Sequence, residues 1–345
     1  LVANGAGVSI VRVADGLPAG DTAIVGELEN GSARSLAAAA ELLNRSEVAI
    51  IQHEYGLYGG ADGDEVLDVL EDLEVPSIVI AHTILSHPSP HQRSVLEAVA
   101  AVADRVIVMS DAAQARLCDL FDVDPETVTT IPHGAAIPTG RGPHEPEARP
   151  TILTWGLIGP GKGIERVIDA MASLAHLPCK PRYLVAGQTH PRVLAADGEA
   201  YRNARKEQAA RIGVADSVVF DATYRDVASL TALIQSCSVV VLPYDTADQV
   251  TSGVLVDAVA AGRPVVATAF PHAVELLASG AGMVVDHNDP AALVEALRRI
   301  LLEPGLADSM AAEASRLAPD MGWSVVAGAY ATLGRQLLAK QPALV

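Results

Sequence analysis

Thr151-Ile-Leu-Thr-Trp-Gly-Leu-Ile-Gly-Pro-Gly-Lys-Gly-Ile-Glu-Arg-Val-Ile-Asp-Ala-Met-Ala-Ser-Leu174 decides the fold. The run Thr151–Trp155 reads as a strand, and Ile164–Leu174 carries the 3.6-residue apolar period of a helix. Between them Gly156, Gly159, Gly161 and Gly163 permit a tight turn and close backbone approach. Strand, glycine-rich turn and helix make the βα unit of a parallel sheet. Lys162 sits where a helix N-terminus adds partial positive charge. The spacing is neither G-x-G-x-x-G nor G-x-x-x-x-G-K-[ST], because Gly163 takes the hydroxyl position. A phosphate cradle fits these residues, and so does a plain glycine-rich turn with a solvated lysine.

The same alternation extends in both directions. Towards the N-terminus, strands are expected near Val8–Val13, Val48–His53, Ser77–His82, Arg105–Ser110 and Val128–Pro132. Helices are expected near Ser32–Leu43, Asp64–Leu73, Pro90–Ala103 and Asp111–Leu120. Towards the C-terminus, strands are expected at Arg182–Ala186, Ser217–Asp221, Ser238–Pro243, Pro264–Thr268 and Gly282–Val285. Helices are expected at Glu199–Ile212, Val227–Gln235, Gly253–Ala261, Ala273–Ala278, Ala291–Leu302, Leu306–Leu317 and about Trp323–Ala339. Most strands are near-continuous apolar runs, as parallel strands covered on both faces are. Thr139–Pro150, with three prolines and two glycines, reads as a linker. The expected architecture is therefore α/β, with two Rossmann-like doubly wound domains facing a cleft. They are a first domain over 1–140, completed by the helix at about 323–340, and a second over 148–322. Ligands of such sheets bind at the carboxyl ends of the strands.

Composition narrows the partners. The 345 residues are 50% hydrophobic and 19% charged, which is a globular composition. Acidic residues outnumber basic ones 42 to 24, a net charge of −18, so nucleic acid is not an expected partner. An anionic small molecule needs a local basic exception. No apolar run approaches the roughly 18 residues of a membrane span, and no transmembrane segment is expected. Cys118, Cys179 and Cys237 lack disulfide or zinc spacing, which fits a reducing cytoplasm.

Two further groups carry chemistry. Leu242-Pro-Tyr-Asp-Thr-Ala-Asp-Gln-Val-Thr-Ser-Gly-Val-Leu-Val-Asp257 runs from a strand end through a loop into a helix. Thr251, Ser252, Gly253 and Val254 can offer unpaired backbone N–H groups to an anion. Asp257 can reach sugar hydroxyls, or it can simply complement the helix dipole while Thr251 or Ser252 caps the helix. The second group is a set of strand-end histidines, His53, His82 and His133, with Gly56, Gly59 and Gly60 following His53. Each alone reads as a hydrogen-bonded surface group; three at one sheet edge point to function. No pair has helix-borne metal spacing.

With these residues in view, the chain resembles the retaining glycosyltransferases of family 4, which have the GT-B fold. The resemblance spans nearly all of the chain and is strongest from Tyr244 through Val266. Lys162-Gly163 and Ile131-Pro-His-Gly134 support it, and Asp257-Ala-Val-Ala-Ala-Gly-Arg-Pro-Val-Val266 matches the family's E-A-M-A-x-G-x-P-V-V stretch. It implies transfer of a hexose, mannose first and glucose second, from a nucleotide sugar to a carbohydrate or glycoside acceptor. GDP-mannose is the first donor expected and UDP-glucose the second. It implies neither cofactor nor bound metal. Lys162 is implied to hold the diphosphate with Gly159, Gly161 and the Thr251–Val254 amides, beside Tyr244. Asp257 is implied to bind the nucleotide ribose. Gln249 and His82 are implied to lie near the transferred sugar, and His53 joins them as a catalytic candidate.

The chain also departs from the family. Gln249 and Asp257 stand where the family has two glutamates, and Leu157 replaces an arginine after Gly156. The family's first strand and glycine-rich loop are not visible before Leu1, so about one βα unit is expected upstream. Alternatives on the same architecture are a nucleotide-sugar epimerase, a disaccharide phosphorylase or a non-catalytic nucleotide-sugar binder.

Overall fold

A computed structural model describes residues 1–16, 20–138 and 149–340. Of the expected linker Thr139–Pro150, residues 139–148 lie outside the described residues. The chain divides into two compact units, Leu1–His133 with the chain from Ser324 onward, and Gly134–Trp323.

In the first unit the order is β1 (Ile10–Val13), β2 (Ile24–Leu28), α1 (Ala33–Leu43), β3 (Ala49–His53), α2 (Val66–Glu71), β4 (Ser77–Ala81), α3 (Pro90–Val102), β5 (Arg105–Val108), α4 (Asp111–Leu120) and β6 (Val128–Thr130). Strands β3-β4-β5-β6 form one parallel sheet, and β1 pairs β2 in a separate parallel pair. The strand β2 is not among those expected from the sequence. Gly26 and Glu27 break its apolar run, and the structure explains the glycine. A Cβ at Gly26 would come within 2.3 Å of Leu42 Cδ1, so the missing side chain lets α1 settle onto the strand.

The second unit follows the order β7 (Thr151–Trp155), α5 (Ile164–Leu174), β8 (Arg182–Ala186), α6 (Pro191–Asp197), α7 (Ala200–Arg211), β9 (Val218–Asp221), α8 (Val227–Ser236), β10 (Val239–Leu242), α9 (Gly253–Ala260), β11 (Val265–Thr268), α10 (Pro271–Leu277), β12 (Gly282–Val285), α11 (Pro290–Leu302) and α12 (Leu306–Met321). The short helix α6 is a further element the sequence reading omits, and none of its residues is buried, so it shows no apolar stripe. The six parallel strands are ordered β12-β11-β10-β7-β8-β9. Alternate residues feed opposite faces. Ile152, Val239, Val241 and Val266 pack with α5 and α11, while Leu153, Val240, Leu242 and Val265 pack with α9 and α12. Both faces are covered, which is why the strands read as unbroken apolar runs.

The last helix, α13 (Trp323–Lys340), packs Val326, Leu333 and Leu337 against Ile78, Ile80, Ile107 and Ile131 of the first unit. No helix among the described residues is long and apolar enough to cross a membrane.

Candidate active site

The sheet order of the second unit fixes where its ligand loops open. From β7 the chain winds outward through β8 and β9, then crosses back to β10 on the other side of β7. The carboxyl ends of β7 and β10 therefore flank a topological switch point, where two loops diverge and leave room. The glycine loop Gly156–Gly163 leaves β7 there, and Pro243–Ser252 leaves β10.

Glycine makes the junction of these loops possible. Gly163 has φ +63, and a Cβ on it would lie 1.7 Å from Pro243 O. Gly161 O accepts from Asp245 N at 3.0 Å. A Cβ on Gly156 would lie 3.9 Å from Val254 Cγ2, so the start of α9 also reaches the loop. Gly159 packs beside Val193 of α6. The β10 loop is tied down further by Arg166–Asp245 at 2.8 Å and by His287 Nε2 with Thr246 O at 3.1 Å.

Lys162 lies at this junction with its Nζ 4.6 Å from the centroid of the Tyr244 ring. No carboxylate among the described residues pairs with it. Burial lowers its pKa. An ammonium that has lost water and gained only a ring face remains able to take an anion. Tyr244 is 1% exposed and stacks on Phe270, so it is the platform under Lys162 rather than a surface a ligand would touch.

At the start of α9, Ser252 caps the helix by accepting from Leu255 N at 3.2 Å. Its own N–H donates to His272 Nδ1 at 2.9 Å, which leaves the proton of a neutral His272 on Nε2. Gln249 Nε2 donates to Thr251 O at 2.9 Å, so half of that side chain is spent within its own loop. Thr251 Oγ1 is enclosed without a hydrogen-bond partner among the described residues. Asp257, one turn into α9, is half-buried and accepts no hydrogen bond on its carboxylate among the described residues. Burial raises its pKa to about 6. A carboxylate in that state gains from any hydroxyl donor brought to it.

In the first unit His53 and His82 stand at the carboxyl ends of the adjacent strands β3 and β4, and His133 follows β6. His82 N donates to His53 O at 3.1 Å, and His82 Nε2 lies 2.7 Å from Gln52 Oε1. Because that oxygen only accepts, Nε2 carries the proton and Nδ1 keeps its lone pair. Thr83 Oγ1 donates to Glu54 Oε2 at 2.7 Å. The pKa of His82 is lowered, by burial first and by His133, while Glu54 opposes the shift. His53 is 0% exposed, and neither ring nitrogen has a hydrogen-bond partner among the described residues. Its pKa is pushed down to about 4, by burial first and then by His82. Of the two, His82 is half-buried and His53 fully enclosed.

Three residues matter here that the sequence reading did not single out. Arg166, His272 and His287 all hold the β10 loop or the α9 start. His272 was open to discovery, since Pro271-His272 follows a strand end as the other histidines do. Arg166 was not, because its partner lies far along the chain. A cavity of about 480 Å³ lies at the opposite end of the sheet, lined by Ser238 and Pro264 at the amino ends of β10 and β11. It contains none of the residues above. Among the described residues no three His, Cys, Asp or Glu side chains gather as a metal site.

The family model for glycosyl transferases group 1 matches residues 141–317, just over half of the chain. A D-inositol 3-phosphate glycosyltransferase from Frankia alni is 28% identical over 77% of this chain and 69% of its own length. Others of that name are spanned over only 50% to 65% of their length. Among solved structures, sucrose-phosphate synthase from Thermosynechococcus elongatus superimposes with a TM-score of 0.77 at 20% identity, covering 99% of this chain and 91% of that one. Anabaena HepE in complex with UDP and glucose gives a TM-score of 0.69 at 17% identity, covering 87% and 81%.

Proposed function

The chain belongs to the glycosyl transferases group 1 family and has the GT-B fold, and from that premise we propose that it moves a hexose from a nucleoside diphosphate sugar to a hydroxyl of a carbohydrate or glycoside acceptor, with retention at the anomeric carbon. The observation that carries this reading is Lys162, a half-buried ammonium without a carboxylate partner among the described residues, set where two strand-end loops meet at a topological switch point. The donor diphosphate lies against Lys162 and the first amides of α9, those of Gly253 and Val254. The nucleotide ribose lies against Asp257, and Gln249 turns its remaining amide oxygen towards the sugar. In the first unit His82 is the residue assigned to the reaction.

The chemistry asks little of protein nucleophiles. The bond from the anomeric carbon to the diphosphate oxygen breaks. A bond to the acceptor oxygen forms on the same face, and the acceptor proton passes to the departing phosphate. The chain supplies orientation and stabilises charge on the leaving group. Lys162 does the second with no metal ion. Sequence resemblance puts GDP-mannose first among donors. The relatives of known structure shift the order, because HepE was solved with UDP and glucose, and UDP-hexoses are the first donors to test.

The experiment is a nucleotide-release assay over a panel of UDP and GDP sugars, with a chelator present and with carbohydrate acceptors added in turn. Release that requires an acceptor supports transfer. Release or sugar interconversion without one supports the epimerase reading, and no release from any donor argues for a binding protein.

A further inference from the structure

Helix α7 contains a buried cation that the reading above leaves unused. Arg202 is only 4% exposed. Its NH2 donates to Gly187 O at 2.6 Å and approaches Thr189 Oγ1 at 3.5 Å, and its Nε donates to Glu199 Oε2 at 3.1 Å. Thr189 Oγ1 in turn donates to Glu199 Oε2 at 2.6 Å. The remaining nitrogen, Nη1, is enclosed without a hydrogen-bond partner among the described residues. Folded proteins seldom leave a charged donor buried and unspent, so a guanidinium held this way asks for a reason beyond packing.

The residues it grips form the floor of the glycine loop. Gly187 has φ +128, and a Cβ there would sit 2.0 Å from Gly156 O. Ile158 N donates to Gln188 O, and His190 N donates to Ile158 O, each at 2.8 Å. The loop is thus laced to Gly187–His190, and Arg202 holds that segment at both Gly187 and Thr189.

Charge adds a second argument. The chain is −18 overall, and the loop itself brings one side-chain cation, Lys162, because its other candidate position is Leu157. A positive charge enclosed behind the loop is poorly screened by salt and water. The opposing Glu199 has a side chain 46% exposed, so solvent weakens its field more than that of the guanidinium.

We propose that Arg202 is a positioning residue of the donor site, one that pins the Gly187–Thr189 strand end beneath the glycine loop and sets a second positive charge behind the diphosphate that Lys162 faces. It rests on the donor-site reading given above. The test is calorimetry of the whole chain with UDP and with uridine, repeated with GDP and guanosine, on wild type, Arg202→Met and Glu199→Gln. Arg202→Met is expected to lose about tenfold in diphosphate affinity with nucleoside affinity unchanged. Glu199→Gln keeps the hydrogen-bonding shape but removes the opposing charge, and diphosphate affinity is expected to rise about two- to threefold. A merely structural network would not give that opposite sign. Equal loss for diphosphate and nucleoside in Arg202→Met, or no loss at all, overturns the proposal. Should Arg202→Met fail to fold, Glu199→Gln decides, and unchanged or weaker diphosphate binding overturns it. Wild type that binds neither diphosphate is a different failure: the donor site falls, and this role with it.

Discussion

Burial moves the carboxyl of Asp257 and the imidazoles of His53 and His82 in opposite directions. Asp257 is held up to about 6 by burial. Between roughly pH 4 and pH 6 the folded chain then keeps a proton that the unfolded chain has released, so this group favours folding more as pH falls through 6. Ligand binding runs the other way, because ribose hydroxyls donate to the charged carboxylate. Nucleoside diphosphate affinity is expected to be full above pH 6 and to fall towards pH 5, while Asp257→Asn binds more weakly and shows no such step. Titration calorimetry across that range checks it, and a step that survives the substitution assigns the effect elsewhere. His53, pushed down to about 4 and fully enclosed, is neutral at working pH and has no route to solvent as it stands. His82, the half-buried ring beside it, is the one proposed to act. His82→Ala is expected to lower kcat at least a hundredfold and leave nucleotide affinity within about twofold, and equal loss of both would make it a packing residue. The positions of these groups were legible because each sits directly at a strand end or one turn into the following helix. Their states were not, since a pKa depends on enclosure by residues distant in sequence. Arg202 shows the same limit, since Gly187 and Thr189, which it grips, lie 15 and 13 positions away.

Elements were easiest to read where one periodicity ran unbroken. The helix Ile164–Leu174 and the strand Gly282–Val285 have the bounds expected from the sequence, because each is a clean apolar pattern with glycine or a polar turn beside it. The strand Ile24–Leu28 was hidden because its glycine answers to a helix side chain, not to a turn. The helix Pro191–Asp197 was hidden because it buries nothing. The glycine loop stands between these cases. Its glycines announce a close approach, but only the structure says to what. At Gly163 the partner is the carbonyl of Pro243, so any side chain would push the β7 and β10 loops apart. Gly163→Ala is expected to cost more than about 1 kcal/mol of stability, since it adds a left-handed alanine to a backbone collision. Diphosphate affinity should fall with it. Thermal unfolding together with calorimetry tests this. An alanine variant with parental stability would mean that the loops have room the geometry denies. Gly161, with open space around its Cβ position, is the internal control and should cost only the conformational term.

For the molecule as a whole, the doubly wound order of the second unit does the deciding work. An acidic chain of −18 repels the diphosphate it is proposed to use, and the sheet answers by opening two loops at one switch point around a single lysine. The parallel sheets were legible from alternating strand and helix patterns, since strands covered on both faces advertise themselves as apolar runs. The separate pairing of β1 with β2 was not, because short strands carry no mark of their neighbours. Nor does any pattern in the sequence name the sugar, whose hydroxyls are distinguished by a few side-chain positions at most. The central claim is that Lys162 and its loops hold the diphosphate of a nucleotide sugar, and affinity for nucleoside diphosphate against the bare nucleoside measures it most directly. With UDP or GDP, whichever the wild type prefers, Lys162→Ala is expected to bind about 10- to 100-fold more weakly, the loss of one charge-assisted hydrogen bond to phosphate. Uridine or guanosine should bind both proteins alike. Equal diphosphate affinity in the two proteins would contradict the account and remove Lys162 from the donor site.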